Sequence, residues 1–205
     1  MSRCTERDRR FYDFLVKTRL PMTITDVAHM FYPSPSGNER SSITIAQRRC
    51  RELKKMQYIE ITNRSFGSCN YYYVGSKPNE RSLRHRLLMS HVIATISCNG
   101  FNIIDIETEK NFMDGELRSD IYMIIEYNKT KYCLLCEVDL TKPFNTEGYT
   151  KLLNKVMKGE IKFPHQLILL SVSDMKLEES DIKKYITQID TELKSFNKFL
   201  WKFIK

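Results

Sequence analysis

Residues 118–142 constrain the fold of this chain more than any other stretch. They begin Arg118-Ser119-Asp120-Ile121-Tyr122-Met123-Ile124-Ile125-Glu126-Tyr127 and, after Asn128-Lys129-Thr130, continue Lys131-Tyr132-Cys133-Leu134-Leu135-Cys136-Glu137-Val138-Asp139. Two runs rich in Ile, Tyr, Leu, Val and Cys around a short polar tip predict a β-hairpin. With Asn128 and Lys129 at the tip, Tyr127 pairs with Thr130, and the same register sets Asp120 opposite Glu137. Side chains alternate faces along a strand, so Glu137 and Asp139 share one face. Opposed Cβ atoms lie about 4.5–5.5 Å apart, and like charges so placed repel. Two readings follow. One is a Mg²⁺ or Mn²⁺ site, because hard cations take oxygen ligands. The other is a solvated acidic edge balanced by Arg118, Lys131 and Lys142.

The 205 residues allow one or two domains, and a hydrophobic content of 41% is enough for a real core. No run of about 18 apolar residues is present, so no transmembrane helix is expected. Residues 1–10 are charged, with no apolar core of a signal peptide, and a cytoplasmic protein is expected. Cys4, Cys50, Cys69, Cys98, Cys133 and Cys136 are then expected as free thiols. Cys133 and Cys136 form one C-x-x-C, but an offset of three on a strand sends the thiols to opposite faces. No second pair stands at zinc spacing.

The net charge of +8 points to a polyanion, nucleic acid first and an anionic membrane second. Residues 1–80 hold 14 Lys and Arg against 8 Asp and Glu, and residues 81–205 hold 19 against 17. The basic footprint is N-terminal. There, Phe11, Phe14 and Leu15 stripe a first helix over residues 5–18, capped by Thr5 with Asp8 three residues on. A short second helix starts at Thr23 or Thr25 and ends at Phe31. His29, among apolar neighbours, is expected in the core. Residues 33–38 are a loop by composition. A third helix over residues 42–57 turns Ile45, Leu53, Met56 and the stem of Arg49 inward. It turns Gln47, Arg48, Arg51, Lys54 and Lys55 outward. Residues 58–62 and 70–74 read as two strands around a turn.

Three helices and a hairpin are the order of a winged helix-turn-helix, whose third helix enters the major groove of DNA. Ser42 and Thr44, near that helix's start, suit phosphate contact through free N–H groups and the helix dipole. Thr44, Gln47, Arg48 and Arg51 reach base edges or phosphates, with Lys54 and Lys55 alongside and Arg64 at the wing tip. Arg to guanine and Gln to adenine are the bidentate pairings that geometry favours.

Lys77-Pro78-Asn79-Glu80 marks a domain boundary, giving an N-terminal domain of residues 1–78 and a second of residues 79–205. The second opens with a helix over residues 81–98, with Leu83, Leu87, Ser90, His91, Ala94 and Cys98 inward. His85 and His91 are six apart, which is not a helical metal spacing, and read as packing or hinge residues. A strand over residues 101–107 and a loop over 109–116 lead to the hairpin. A helix over residues 147–158 precedes the apolar strand 166–172, whose unbroken hydrophobicity suits a central position. Residues 178–204, with Ile182, Tyr185, Ile186, Ile189, Leu193, Phe196, Leu200 and Phe203 in line, read as one long helix. It covers the sheet or extends into a homodimer contact.

An acidic residue opening the second strand and Glu-x-acid closing the third (Arg118-Ser119-Asp120, then Glu137-Val138-Asp139) resembles the PD-(D/E)XK nuclease fold. Behind a winged helix, the whole chain resembles the replication-relaxation family of plasmids and other mobile elements. Two departures stand out. Ser119 replaces the usual Pro, and Asp139 stands where the wider superfamily has Lys; Lys142, Lys151 or Lys155 would have to supply that charge. The resemblance implies an α+β or α/β architecture with a mixed sheet flanked by helices. It implies double-stranded DNA as partner, with relaxosome or replication proteins beside it and no membrane. It also implies one of two activities. The first is DNA binding in replication, mobilisation or transcriptional control. The second is site-specific DNA cleavage, with Asp120, Glu137 and Asp139 as catalytic residues and ligands of Mg²⁺ or Mn²⁺.

Overall fold

A computed structural model describes residues 4–62, 70–177, 180, 182–200 and 203. The chain is mixed α and β, and it divides into two compact units, residues 1–100 and 101–205. Among the described residues no helix is long and apolar enough to cross a membrane.

In the first unit, α1 (Glu6–Thr18) begins at the capping box expected of Thr5 and Asp8. It ends at Arg19, whose left-handed φ of 57° turns the chain into a two-residue strand, β1 (Met22–Thr23). Thr23 caps α2 (Ile24–Phe31). Asn38 caps α3 (Glu39–Lys55), which starts three residues earlier than its apolar pattern indicates. β2 (Glu60–Thr62) and β3 (Tyr71–Tyr73) pair antiparallel, and β3 also pairs with β1, giving the order β1-β3-β2. The turn between β2 and β3, with Arg64 and Cys69, lies outside the described residues. Phe11, Leu15, Val27, Ala28, Ala46, Cys50 and Leu53 are fully buried and form the apolar centre that the three helices share.

The boundary expected near residue 78 lies instead at Gly100. The helix expected to open the second domain, α4 (Glu80–Cys98), belongs to the first unit. Its polar side chains account for this. The Ser90 hydroxyl donates to the Pro21 carbonyl at 2.6 Å, Arg86 donates to the Arg19 carbonyl, and His91 Nδ1 lies 2.7 Å from Asp26 Oδ1. Asp26 is buried and also accepts from the Thr23 hydroxyl. His91 is therefore an ion-pair partner rather than a packing or hinge residue, and burial falls on Met89, Val92, Ile93 and Ile96 while Cys98 is exposed. The Asp26 hydrogen bond raises the His91 pKa. His29 is exposed beside Glu39, not in the core.

The second unit is a five-stranded sheet in the order β4-β5-β6-β7-β8. β4 (Asn102–Phe112), β5 (Leu117–Tyr127) and β6 (Thr130–Asp139) form an antiparallel meander. α5 (Thr146–Met157) carries the chain from β6 to β7 (Gln166–Ser173), which runs parallel to β6. β8 (Ile186–Ile189) then adds a second parallel pair at the edge. β7 lies between two strands, as its apolar run predicts, and is buried from Leu169 to Ser173.

The hairpin tip is as expected. Tyr127 pairs with Thr130, and Asn128 (φ 49°) and Lys129 (φ 66°) both take the left-handed conformation that a type I′ turn demands. Cys133 and Cys136 point to opposite faces. Cys133 joins the cluster of Tyr122, Leu135, Tyr149, Leu152 and Leu169, and every described cysteine is a free thiol.

Two expectations fail. The loop expected over residues 109–116 is shorter: β4 continues to Phe112, with Lys110 Nζ 4.1 Å from the centre of the Tyr122 ring, and only a 3-10 turn, Met113–Gly115, with Glu116 leads into β5. Residues 178–204 are not one helix. Of these, 178, 179, 181, 201, 202 and 204 lie outside the described residues; the rest hold a single 3-10 turn, β8 and a four-residue helix, α6 (Asn197–Leu200). Asp190 explains the break. Its carboxylate accepts from the backbone N–H groups of Lys194 and Ser195, a side-chain turn that competes with helical hydrogen bonds, and Leu193 has a φ of 57°.

Candidate functional site

Two groups of side chains invite a function, one in each unit. The first is the outer face of α3. Thr44, Gln47, Arg48, Arg51, Lys54 and Lys55 are all exposed, while Ser42, Ala46, Cys50 and Leu53 on the opposite face are buried. The spacing of three and four residues that sorts them is that of one helical face. Lys55 lies 3.4 Å from Glu52, and the Thr44 hydroxyl donates to the Arg40 carbonyl at 2.9 Å. Ser42 does not belong to the exposed set. It accepts from Ser34 N–H at 2.8 Å and donates to the Asn38 carbonyl, so it anchors the preceding loop instead of offering a hydroxyl to a ligand.

The apolar stripe of α3 predicts burial for the stem of Arg49 alone. Instead Arg49 reaches through the unit to Asp8, which is fully buried, donating from Nε to Oδ1 at 3.0 Å and from its terminal nitrogen to Oδ2. The same carboxylate accepts from the Tyr32 hydroxyl at 2.8 Å and from Thr5 N–H at 2.6 Å. Burial alone would raise the Asp8 pKa. Arg49, Thr5 and Tyr32 reverse this and hold it at about 2. This pair fixes the inner face of α3 against α1. The sequence signal for it, an Arg amid an apolar stripe and an Asp that also serves a helix cap, is ambiguous by itself.

The second group is carboxylic. The β5–β6 ladder ends at the pair Ile121–Cys136, one step before Asp120 would meet Glu137. There Ser119 turns its hydroxyl to the carbonyls of Ile121 and Cys136, and Asp120 Oδ2 accepts from Val138 N–H at 2.9 Å. The Asp120 side chain thus stands in for a backbone acceptor and closes the end of the hairpin. Glu137 is buried, hydrogen-bonded to Asp120 and to the Tyr149 hydroxyl of α5 at 2.5 Å. Burial, then the charge of Asp120, with a smaller push from Asp139, raises its pKa to about 8. Tyr149 is itself fully buried and stacks on Phe144 at 4.8 Å between ring centres. Sequence reasoning misses this tyrosine, because nothing in its spacing marks it apart from other core aromatics.

Gly148 lets α5 approach. A Cβ there would stand 2.7 Å from Asn145 Nδ2 and 3.0 Å from Leu117 Cδ1, closer than side chains pack.

The three expected carboxylates are therefore neighbours, as the hairpin register requires. They are not poised as a ligand set: among the described residues no three His, Cys, Asp or Glu side chains meet at metal-holding geometry. Their oxygens are the donors a hard cation prefers, but one Glu137 oxygen is taken by Tyr149 and one Asp120 oxygen by Val138. Of the lysines that were to replace the missing one, Lys142 is exposed and Lys151 pairs with Glu147 at 2.8 Å. The group that bonds Glu137 from α5 is a neutral phenol.

No family model, curated protein or solved structure matches the chain. Function is therefore read from these two groups of side chains and from charge. Residues 1–100 carry 17 Lys and Arg against 8 Asp and Glu, and residues 101–205 carry 16 against 17. All of the excess positive charge belongs to the unit that holds α3.

Proposed function

We propose that this chain binds double-stranded DNA through its first unit, with α3 as the reading helix of a winged helix-turn-helix. The observation that carries this is the exposed face of α3, where Gln47, Arg48, Arg51 and Lys54 stand clear of the core in a unit of net charge +9. A basic surface neutralises phosphates and releases counterions, and Arg and Gln are the side chains that read guanine and adenine edges. The order helix, short strand, two helices, two strands, with β3 between β1 and β2, supports the winged-helix reading. A role in replication, mobilisation or transcriptional control of a mobile element rests on the resemblance to the replication-relaxation family.

Gel-shift titration tests this. Arg48→Ala is expected to weaken binding to the preferred duplex by about 1–3 kcal/mol and to relax its site preference. Unchanged affinity and preference would count against α3 as the reader.

A second reading is favoured by the juxtaposition of Asp120 and Glu137, with Asp139 beside them. In it the second unit is a PD-(D/E)XK-like nuclease, and Asp120, Glu137 and Asp139 hold Mg²⁺ or Mn²⁺, which would supply an activated water for attack on a phosphodiester. The protein's own part would be to surrender the Glu137 proton and orient that carboxylate through Tyr149. Incubation of supercoiled plasmid with either cation is expected to give nicked circles with wild type and none with Glu137→Ala. Intact plasmid with wild type, under conditions where it binds DNA, would remove this reading.

A further inference from the structure

The outer face of α3 carries more than charge. Side chains step round a helix axis by about 100° per residue. The residues that α3 turns inward, Ser42, Ala46, Arg49, Cys50 and Leu53, fix the direction of the core. The direction away from it runs along exposed Thr44, Arg48, Arg51 and Lys55, each within about 40° of it. Gln47 and Lys54 lie about 60° or more to one side. In the first half of the helix, Thr44 points most directly outward.

Thr44 is the uncharged member of this line. Its O–H is spent within the helix, on the Arg40 carbonyl at 2.9 Å, so it has no donor to offer a base edge. Its γ-methyl remains. A cavity of about 390 Å³ opens beside it, lined also by Asn38, Arg40, Ser41 and Ile45. Ile45 is half-buried, so a second apolar side chain adjoins the Thr44 methyl there. In the major groove the base edges present donors and acceptors with one apolar exception, the C5-methyl of thymine, and a Thr methyl is among the groups that meet it. Arg48 stands one turn further along, about 6 Å up the axis, which is no more than about two base-pair steps of roughly 3.4 Å.

We propose that α3 reads a thymine through the Thr44 methyl, within about two base pairs of the position that Arg48 contacts. The proposal rests on α3 being the reading helix, and it adds to a basic surface the recognition of one methyl group in the duplex.

The test uses the full chain and the duplex it selects from a randomised pool. Each thymine of that duplex is replaced in turn by uracil, which removes the C5-methyl and keeps every hydrogen-bonding group. One replacement is expected to weaken binding by wild type about fourfold, the worth of one buried carbon. Thr44→Ser, which keeps the hydroxyl and loses the methyl, is expected to bind the unmodified duplex about fourfold more weakly and to be indifferent to that uracil. Thr44→Val, which keeps the methyl and loses the hydroxyl, is expected to respond to it as wild type does. Absence of any uracil effect in wild type, or the same effect in Thr44→Ser, would overturn the proposal. So would a sensitive thymine more than about three base pairs from the position whose preference relaxes in Arg48→Ala. If no duplex is bound, the DNA-reading assignment and the thymine contact fall together. If a duplex is selected, Arg48→Ala relaxes its preference and uracil changes nothing, the thymine contact alone falls.

Discussion

Asp8→Ala is expected to destabilise the first unit by about 3–5 kcal/mol, the cost of removing one partner from a buried ion pair. The substitution strips Arg49 and Tyr32 of their shared acceptor and removes the reciprocal cap of α1 at Thr5. Against a total stability of about 5–15 kcal/mol, this is enough to leave α3 poorly held. Urea denaturation followed by circular dichroism would measure it, and a midpoint equal to wild type would show that the pair does not stabilise the unit. The same contact sets an acid limit. The folded pKa of Asp8, about 2, lies below the value of roughly 3.9 for an unfolded aspartate. The unfolded chain therefore binds the extra proton. The stabilisation is complete above about pH 4 and is lost as pH falls through about 2.

Glu137→Gln is expected to act in the opposite sense and at the other end of the pH scale. The folded carboxyl holds its proton up to about pH 8, whereas an unfolded glutamate releases it near 4.3. Between these values the native state binds more protons, so stability falls as pH rises and the loss is complete above about 8. Each tenfold difference in proton affinity between the folded and unfolded chain is worth about 1.4 kcal/mol, so the penalty above pH 8 is a few kcal/mol. Glutamine keeps an acceptor for Tyr149 and carries no charge, so the variant is expected to melt several degrees above wild type at pH 9 and close to it at pH 5. Parallel melting curves from pH 5 to 9 would refute the burial of Glu137 as the source of its raised pKa.

These two residues also show where a sequence can be read and where it cannot. The hairpin is legible because two independent local rules agree. Alternation fixes the faces, and the Asn128-Lys129 tip fixes the register, so Asp120 and Glu137 must be neighbours. That Asp120 spends an oxygen on Val138 N–H, and that Tyr149 bonds Glu137, depends on where α5 docks, and no local pattern encodes that. The outer face of α3 is equally legible from its 3.6-residue period. Ser42 is misplaced by sequence reasoning because a hydroxyl near a helix start serves a ligand or its own loop with the same residue. Asp8 and Arg49 stand 41 positions apart, and only the fold makes them a pair.

Residues 178–204 mislead for a different reason. Ile186 and Ile189 fit a helical stripe, but β-branched Ile186-Thr187-Gln188-Ile189 also suits a short parallel edge strand. Pairing with Leu169–Val172 of β7 holds these residues as a strand, and the carboxylate of Asp190 turns the chain after them. Likewise α4 lies in the first unit because Ser90 and His91 find acceptors in Pro21 and Asp26, although a Pro-containing stretch precedes it.

The two-residue tip of the β5–β6 hairpin has a consequence for the acids far along the strand. Strand geometry obeys parity: lengthening that tip by a single residue would exchange the two sides of β6 along its whole length. Val138 would then come up beside Tyr149, while Glu137 and Asp139 would be driven through to the side now filled by Leu134, Cys136, Leu170 and Val172. The length of the tip, rather than any of its side chains, keeps negative charge out of that apolar layer.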